Sequence, residues 1–503
     1  MGTSQKKVPR RDVLRWAGAF AGATALAGCS TAPPSGASGG PRGGPAASGG
    51  PGGGTGGAGD LTWWDQFGPL RDLHAQAFAR FEQSTGRSVQ YTRYNPNEQG
   101  QALQLAFGSG QLPDVFSLAG VNAPPVALRD QGWFSPLVDA SAISDALPDG
   151  SLVDGLHVFD GQTLTFPLFS ARQYESLNWY TRDQAEQAGL DPDDPPRSWD
   201  DLRAAARRAQ RSGTSGLLLP LAFPDRMRAF VLELAQTAGF PGSRENSLDG
   251  VDLTTGEYRF HDDAFVDAIE FLLSFQQDGT LFPASTSLDA RAGRARWAAA
   301  GSVFFLDGPY CAGAVANDFP DVLDQLAVGP VPTPDGAAPV LTRPASGGTF
   351  WVSSFSDKVD AASELLQLFA GEEYQSGLAA AMDQPPLDLS TVEGSDAHPS
   401  YQQAVAYYQE QVFLGPTPQA KNPLVGQVEA RMRAVEPGLG AIVQGVFSGQ
   451  VGDVRGALRQ LSDQMTTTRQ AAIDEVGGDV GVGDWSFPRW SAGQDFTAED
   501  YRS

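Results

Sequence analysis

From Leu61 onward, short apolar runs alternate with longer segments in which apolar residues recur every three or four positions. Runs of the first kind predict β-strands, and segments of the second kind predict amphipathic helices. The elements predicted first are a strand over 61–67, a helix from Leu70 to Gly86, a strand over 89–94, a helix over 98–107 and a strand over 114–119. This βαβαβ order indicates an α/β domain built on a parallel sheet.

The same alternation continues through the rest of the chain. Ser198 is placed to cap a helix, Asp201 follows in its first turn, and Gly213 is a typical helix terminator. The further predicted elements are helices over 265–275, 357–371 and 453–465 and, over 302–310, a strand that runs into a turn. About 440 residues of this pattern exceed what one hydrophobic core holds, so we expect two domains.

The first 28 residues are typical of an export signal and not of a folded domain. A basic head that includes Arg10 and Arg11 precedes Trp16–Ala27, a charge-free run of twelve residues that is too short to span a bilayer. The arginine pair resembles a twin-arginine signal, and residues 26–29 (LAGC) resemble the bacterial lipobox. We predict cleavage before Cys29 and lipidation of that cysteine. A general secretory signal with an incidental cysteine is the alternative.

The segment that follows the predicted lipidation site differs from the body of the chain in composition. Residues 30–59 are Gly, Ser, Ala, Pro and Thr apart from Arg42. Such a segment cannot bury a core, so 29–59 is predicted to be a flexible linker between a lipid anchor and the folded body. Removing residues 1–28 takes away five basic side chains and one acid, so the net charge of −24 becomes −28. This acidity argues against nucleic acid as a partner.

The residue types that usually hold cofactors are sparse. The chain has two cysteines, and its histidines (His74, His157, His261 and His398) are isolated from one another and from the cysteines. Neither a zinc-ligand spacing nor a phosphate-binding GK[ST] motif is present, and a G-x-S-x-G elbow between strand and helix is also absent. We therefore expect neither a cofactor nor a bound metal.

The order of the segments resembles that of extracellular solute-binding proteins of the sugar-binding family 1 type, which are relatives of maltose-binding protein. The stretches that carry the resemblance are LTWWDQF, FARFEQSTGRSVQY, ALQLAFGSGQLPDVFSLA, the region from FPLFSARQYESLNWY to PPRSWDDL, SVFFLDGPY, VGPVPTPDG, SGGTFWVSS and DAASELLQLFAGEEYQ. The resemblance implies an α/β, two-lobed fold of the type II periplasmic-binding-protein class. Such proteins close like a hinge over a ligand in the interlobe cleft.

The resemblance also implies where the lobes begin and end. The chain is expected to cross between lobes near 166–172 and near 331–346. The predicted divisions are a signal peptide over 1–28, the lipidated Cys29 with a linker over 29–59, lobe 1 over 60–168 with a return segment over 345–385, lobe 2 over 169–335 with helices over 395–475, and a C-terminal tail over 476–503.

A sugar presents apolar C–H faces and a rim of hydroxyl groups, so its site needs aromatic platforms and hydrogen-bonding side chains. The residues that the resemblance places at the cleft are Trp64, Asp65, Phe67, Asn122, Phe169, Tyr174, Asp307, Gly308, Tyr310, Gly347, Gly348 and Trp351. No catalytic residue is expected.

Several of these residues have a structural alternative. Trp63 and Trp64 are adjacent on a strand, so only one faces inward, and either could be the platform. Tyr174 and Trp351 could be core aromatics, Asp307 could merely anchor the turn after it, and the glycine pair at 347–348 could form a plain turn. Arg343, near the second crossing, could bind a sugar acid or phosphate, or could be an ordinary ion-paired side chain.

The resemblance predicts a substrate-binding lipoprotein of an ABC importer, which delivers a sugar or oligosaccharide to a membrane permease. It would be a monomer, held at the outer face of the cytoplasmic membrane by its lipidated cysteine, and not an enzyme. The main alternative is an exported glycoside hydrolase, which would need a pair of carboxylates in a groove. A surface lipoprotein with a purely structural role is a third possibility.

Overall fold

A computed structural model describes residues 60–503 apart from 122, 149, 246–247, 498 and 503. The predicted signal peptide, the lipidation site at Cys29, the linker over 29–59 and the predicted site residue Asn122 lie outside the described residues.

The strands are β1 (Leu61–Asp65), β2 (Val89–Arg93), β3 (Val115–Phe116), β4 (Phe134–Ser135), β5 (Val158–Phe159), β6 (Gln162–Thr163), β7 (Leu177–Thr181), β8 (Ser215–Leu218), β9 (Val251–Asp252), β10 (Glu257–Tyr258), β11 (Ser302–Asp307), β12 (Leu326–Gly329), β13 (Leu341–Arg343), β14 (Trp351–Ser353) and β15 (Val412–Leu414).

The helices are α1 (Arg71–Thr85), α2 (Pro96–Gly108), α3 (Pro125–Asp130), α4 (Ala140–Ala146), α5 (Arg182–Gln187), α6 (Trp199–Ser212), α7 (Pro224–Thr237), α8 (Asp263–Gln277), α9 (Ala290–Ala298), α10 (Cys311–Asp318), α11 (Pro320–Leu323), α12 (Val359–Ala370), α13 (Glu372–Ala381), α14 (Pro399–Gln411), α15 (Pro418–Lys421), α16 (Leu424–Arg431), α17 (Leu439–Phe447) and α18 (Val454–Val476). Within the described residues, none of these helices is both long and apolar enough to span a bilayer.

Lobe 1 is built on a five-stranded sheet with the order β2-β1-β3-β14-β4. β1 pairs in parallel with β2 and with β3, as the βαβαβ pattern predicts. β14 enters the same sheet antiparallel to β3, although it lies more than 200 positions further along the chain. Long-range pairing of this kind leaves no local signal, because only three residues of the strand carry the pattern.

Lobe 2 is built on a four-stranded sheet with the order β12-β7-β11-β8. β11 runs parallel to β8 and antiparallel to β7, so this sheet is mixed. All residues of β7, β11 and β12 are buried, because helices cover both faces of the sheet. The strand and following turn predicted over 302–310 are present: β11 ends at Asp307, and the chain then turns into α10.

The helix ends follow the capping residues in the sequence. The Ser198 side chain accepts a hydrogen bond from the Asp201 backbone N–H at 3.0 Å, and the Asp201 carboxylate accepts one from the Ser198 backbone N–H, which completes a capping box at the start of α6. Gly213 ends α6 and Gly86 ends α1, both in the left-handed conformation that glycine adopts without strain. α18 runs eleven residues beyond the predicted end of its helix at 465.

Adjacent crossing segments join the two lobes. Phe169 forms an isolated bridge with Pro386, and the Ser170 N–H donates to the Pro385 carbonyl at 2.9 Å. The Ser346 hydroxyl donates to the Phe169 carbonyl at 2.8 Å, so segments near 169, 346 and 385 lie side by side. β13 and β15 pair in parallel next to them. These short backbone contacts form the hinge between the lobes.

The tail after α18 packs onto lobe 2 and then onto the hinge. Trp485 is buried, and the Arg469 guanidinium lies 5.1 Å from its ring. The Asp495 carboxylate accepts a hydrogen bond from Arg172 at 2.5 Å and another from the Leu414 N–H at 2.9 Å. Because Arg172 follows the first crossing and Leu414 lies in β15, the tail is tied to the connecting segments.

Candidate ligand-binding cleft

A cleft lies between the loops at the carboxyl ends of the lobe 1 strands and the helices of lobe 2. It contains a cavity of about 480 Å³ and an adjoining one of about 340 Å³. The residues that line both are Gln66, Phe67, Ala119, Glu175, Arg244, Tyr310 and Gln384. The volumes fall in the range of sites for small organic molecules.

Asp65 shapes the lobe 1 wall without facing the cleft. Its carboxylate is fully buried and accepts hydrogen bonds from the Trp63 indole N–H at 2.7 Å, the Phe67 backbone N–H at 2.9 Å and the Tyr91 hydroxyl at 2.8 Å. These bonds fix the loop after β1 and direct Phe67 toward the hinge, where its ring centroid lies 5.2 Å from that of Phe169. Asp65 is thus a positioning residue for this wall.

The two tryptophans of β1 face in opposite directions. Trp63 is fully buried in the lobe 1 core and stacks on Phe369 at 4.8 Å between ring centroids. Trp64 is half-buried on the other face, where its ring packs 5.0 Å from Tyr94. Neither ring lines the two cavities. The expectation that Trp64 forms a ligand platform is therefore not matched by its position.

The lobe 2 wall is a network of arginines and acids. Arg226 contacts Glu175 at 2.7 Å and Asp307 at 3.4 Å. Arg244 bridges Glu175 at 2.9 Å and Glu233 at 3.2 Å. Burial alone would raise the pKa of Glu175, but the neighbouring guanidinium groups of Arg244 and Arg226 outweigh it and lower that pKa to about 2. Glu175 is therefore charged at neutral pH and holds both arginines in place.

Tyr310 lies inside this network and lines both cavities. The guanidinium groups of Arg226 and Arg294 lie 5.2 Å and 5.6 Å from its ring centroid, and Arg226 also donates to its hydroxyl. A Cβ on Gly308 would lie 2.5 Å from the Tyr310 ring, so only glycine lets the ring fold back over the turn. Asp307 is buried and accepts from Arg294 Nε at 2.8 Å.

Three buried polar atoms of the lining residues have no hydrogen-bond partner among the described residues. They are Asp383 Oδ2, Arg226 Nε and Arg343 Nη1. Leaving a buried polar group without a partner costs about 1–3 kcal/mol, and more when the group is charged. Burial, with a further contribution from Asp65, raises the pKa of Asp383 to about 7, and Arg294 acts against this rise. All three atoms are shielded from solvent in this conformation, so a ligand contacts them only if the cavity walls rearrange.

Six of the predicted site residues line the cleft cavities: Phe67, Phe169, Tyr174, Tyr310, Gly347 and Gly348. Tyr174 only borders the adjoining cavity, because its side chain is fully buried and its hydroxyl donates to Gln411 at 2.8 Å. A Cβ on Gly348 would lie 2.1 Å from a Thr165 methyl group, so this glycine permits close packing against the chain entering the hinge.

The other described candidates lie behind the walls. Trp351 is fully buried in the lobe 1 core, where its ring stacks on Phe134 at 4.2 Å, and it lines neither cavity. β14 directs this side chain into the core, so its position does not match the expectation of a ligand contact. Asp307 supports Arg226 and Arg294, and the Gly308 carbonyl accepts from the Trp179 indole at 3.1 Å.

The pattern of residue types did not identify the charged residues of the cleft. The missed charged residues that line the main cavity are Arg71, Arg93, Arg226, Arg228, Arg244, Arg291, Arg294, Glu175, Asp225, Asp289, Asp318 and Asp383. A signal was available in the DRMR stretch at 225–228 and the ARAGRAR stretch at 290–296, where arginines are dense in a strongly acidic chain. Arg343 lines the adjoining cavity and is ion-paired with Glu233, which is the ordinary alternative weighed for it.

Two α/β lobes joined by short crossings around a polar cleft define a class of proteins that bind a small molecule by closing over it. The profile of the bacterial extracellular solute-binding protein family matches residues 68–376. The chain belongs to this family. Its members bind solutes outside the cytoplasm and are not enzymes.

Curated relatives share the sequence over part of their length. The sn-glycerol-3-phosphate-binding periplasmic protein of Rhizobium meliloti is 22% identical over 362 residues, which cover 67% of this chain and 77% of the relative. The protein of the same name from Brucella abortus is 24% identical over 236 residues, and there the chain spans about half (51%) of the relative's length.

Solved structures share the fold. A Thermotoga lettingae ABC transporter solute-binding protein bound to α-D-tagatose superposes with a TM-score of 0.61 at 16% identity, over 82% of this chain and 100% of that structure. At this identity the likeness establishes the two-lobed type II fold and leaves the ligand open.

Proposed function

We propose that this protein is the receptor of an ABC importer and captures a small hydroxylated solute, a sugar or a polyol, in the interlobe cleft. The observation that carries the proposal is the polar lining of the two cavities, which combines the carboxyl group of Asp383 with guanidinium groups such as those of Arg226 and Arg343. Hydroxyl groups both donate and accept, so they match a carboxyl oxygen and guanidinium N–H groups together.

The aromatic groups of the cleft support the same ligand class. Tyr310, Phe67 and Phe169 border the polar walls, and aromatic rings next to hydrogen-bonding groups suit a molecule with C–H faces and a hydroxyl rim. The names of the relatives point in the same direction: one group is named for sn-glycerol 3-phosphate, and one solved structure holds tagatose. Both compounds are small and rich in hydroxyl groups.

The enzyme alternative has less support. A glycoside hydrolase needs a pair of carboxyl groups that act on the same bond. Glu175 lines the cleft and is held by Arg226 and Arg244, and Asp307 lies behind the wall, where it is held by Arg294. These acids organise arginines, whereas catalysis would require them to reach the substrate.

The proposal extends to the location of the receptor. Export through the 1–28 signal, lipidation of Cys29 and the 29–59 linker would hold a monomer near its permease at the outer face of the cytoplasmic membrane. Metabolic labelling with a radioactive fatty acid in the native host should mark the wild-type protein and not a Cys29→Ala variant. Equal labelling of the two proteins, or no labelling of either, would refute the anchor alone.

The binding function is tested by titrating the protein with sugars and polyols while recording tryptophan fluorescence and analysing the products. We expect saturable binding of at least one compound without chemical change, and weaker binding by Asp383→Asn than by wild type. Hydrolysis of the bound compound would support the enzyme instead. If no member of the panel binds saturably, the proposal fails.

A further inference from the structure

Seven arginines line the main cavity, and five of them have a carboxylate partner. Arg71 pairs with Asp72 at 3.0 Å, and Arg228 pairs with Asp249. Arg226, Arg244 and Arg294 pair with Glu175 and Asp307 as described above. Arg93 and Arg291 remain. Among the described residues neither has a carboxylate within 4.0 Å, although the chain as a whole carries a net charge of −24.

The two remaining arginines come from opposite walls. Arg93 is the last residue of β2 in lobe 1, and Arg291 lies in the first turn of α9 in lobe 2. Arg291 Nη2 reaches across the cleft to the carbonyl oxygens of Gln66 and Tyr94, each at 3.3 Å. Tyr94 is the neighbour of Arg93 in the chain, so the two guanidinium groups border the same part of the cavity.

The charge of this region is only partly offset by the nearby carboxylates of Asp289 and Asp318. Burial lowers the pKa of Arg291, and the positive charges of Arg93 and Arg294 lower it further, against opposing effects from Asp289 and Asp318. Asp289 is already engaged, because its carboxylate caps α9 by accepting from the Ala292 N–H at 2.8 Å. Bringing the lobes together concentrates like charges here unless an anion lies between them.

We propose that Arg93 and Arg291 together bind an oxyanion, a phosphate or carboxylate group carried by the hydroxylated ligand, and that this group links the two lobes. The inference is based on the proposed function and narrows its ligand class. Guanidinium groups offer paired N–H donors that match two oxygens of such a group. An anion held from both walls would favour the closed state, because it cancels the repulsion between them.

The test compares ligands that carry one anionic group with neutral ligands that lack it. Titration calorimetry compares sn-glycerol 3-phosphate with glycerol and glucuronate with glucose, with inorganic phosphate as a further probe. We expect the anionic member of at least one pair to bind more tightly than its neutral partner. The pair that responds identifies phosphate or carboxylate as the source of the oxyanion.

The variants assign the effect to the two arginines. Arg93→Gln and Arg291→Gln should each weaken binding of the anion about ten- to a hundredfold, the usual cost of losing a charged hydrogen bond. Binding of the neutral member of the same pair should fall less than binding of the anion, because the neutral compound loses no charged hydrogen bond. Arg208→Gln, an exposed change on α6 that removes the same charge away from the cavity, should bind like wild type.

The outcomes separate this inference from the function it narrows. Tighter binding of a neutral sugar than of every anion would overturn the inference and keep the proposed receptor. Equal loss of anion binding in Arg208→Gln would indicate a general charge effect and would also overturn it. If neither neutral nor anionic compounds bind, the receptor function itself fails.

Discussion

The two walls of the cleft are built in different ways. The lobe 2 wall is a continuous network in which Glu175, Glu233 and Asp307 hold several arginines. The lobe 1 wall depends on one buried acid, Asp65, and presents Arg93, which has no carboxylate within 4.0 Å in the part of the chain that the structure describes. The difference indicates that lobe 2 offers a pre-organised surface to the ligand, and that lobe 1 completes the site when the cleft closes.

The largest expected effect is on the acid that supports the lobe 1 wall. Asp65→Ala leaves the N–H groups of Trp63 and Phe67 and the Tyr91 hydroxyl without their buried acceptor, so the free energy of unfolding should fall by about 3–5 kcal/mol. Urea denaturation measures the change. Asp278→Ala, which removes a carboxylate paired with Arg203 near the surface of lobe 2, should cost about 1 kcal/mol or less.

The second effect is the pH dependence that Asp383 gives to the free energy of unfolding. Its pKa is raised from 3.8 to about 7 in the folded protein, so the folded state retains this proton more firmly than the unfolded state. The contribution of this proton to the free energy of unfolding is fully present below about pH 4 and is lost as the pH rises through 7. The total is on the order of 4 kcal/mol by linkage.

Asp383→Asn removes this titration. The difference in unfolding free energy between wild type and variant should therefore change between pH 4 and pH 7 and stay constant above about pH 8. Chemical denaturation at a series of pH values tests this. A difference that is independent of pH would show that Asp383 titrates normally.

The position of Tyr310 depends on a single glycine. Gly308→Ala places a methyl group within 2.5 Å of the Tyr310 ring and should destabilise the protein by about 1–3 kcal/mol while weakening ligand binding. Gly347→Ala is the matched change on the opposite side of the cleft, where a Cβ meets nothing within 4 Å. If both variants have the same melting temperature, the close packing of Tyr310 does not matter.

The smallest effect is expected at Trp64. Its ring packs on Tyr94 and lies outside both cavities, so Trp64→Ala should change ligand affinity by less than about twofold. Calorimetry measures this. A tenfold loss of ligand affinity would show that Trp64 belongs to the binding surface.

The sequence was most informative where local rules decide the structure. The spacing of the apolar residues predicts the parallel strands β1 to β3, and Ser198, Asp201 and Gly213 predict where α6 begins and ends. Long-range pairing decided the rest. β14 directs the Trp351 side chain into the core, and the three residues of this strand do not by themselves specify that orientation.

The aromatic side of the cleft was easier to predict than its charged side. Phe67, Phe169 and Tyr310 follow from the family's pattern of segments. The arginines depend on which helices face lobe 1, and helix orientation is not visible in spacing alone. Asp383 resembles any other acid in a chain with 59 of them until its burial and its neighbours are known.

Titration calorimetry of the intact protein with the paired anionic and neutral ligands tests the central claim most directly. The account predicts one ligand per molecule, bound saturably and recovered unchanged, with weaker binding in Asp383→Asn and unchanged binding in Arg208→Gln. Absence of binding by every compound, or equal affinity in all three proteins, would contradict a ligand site in this cleft.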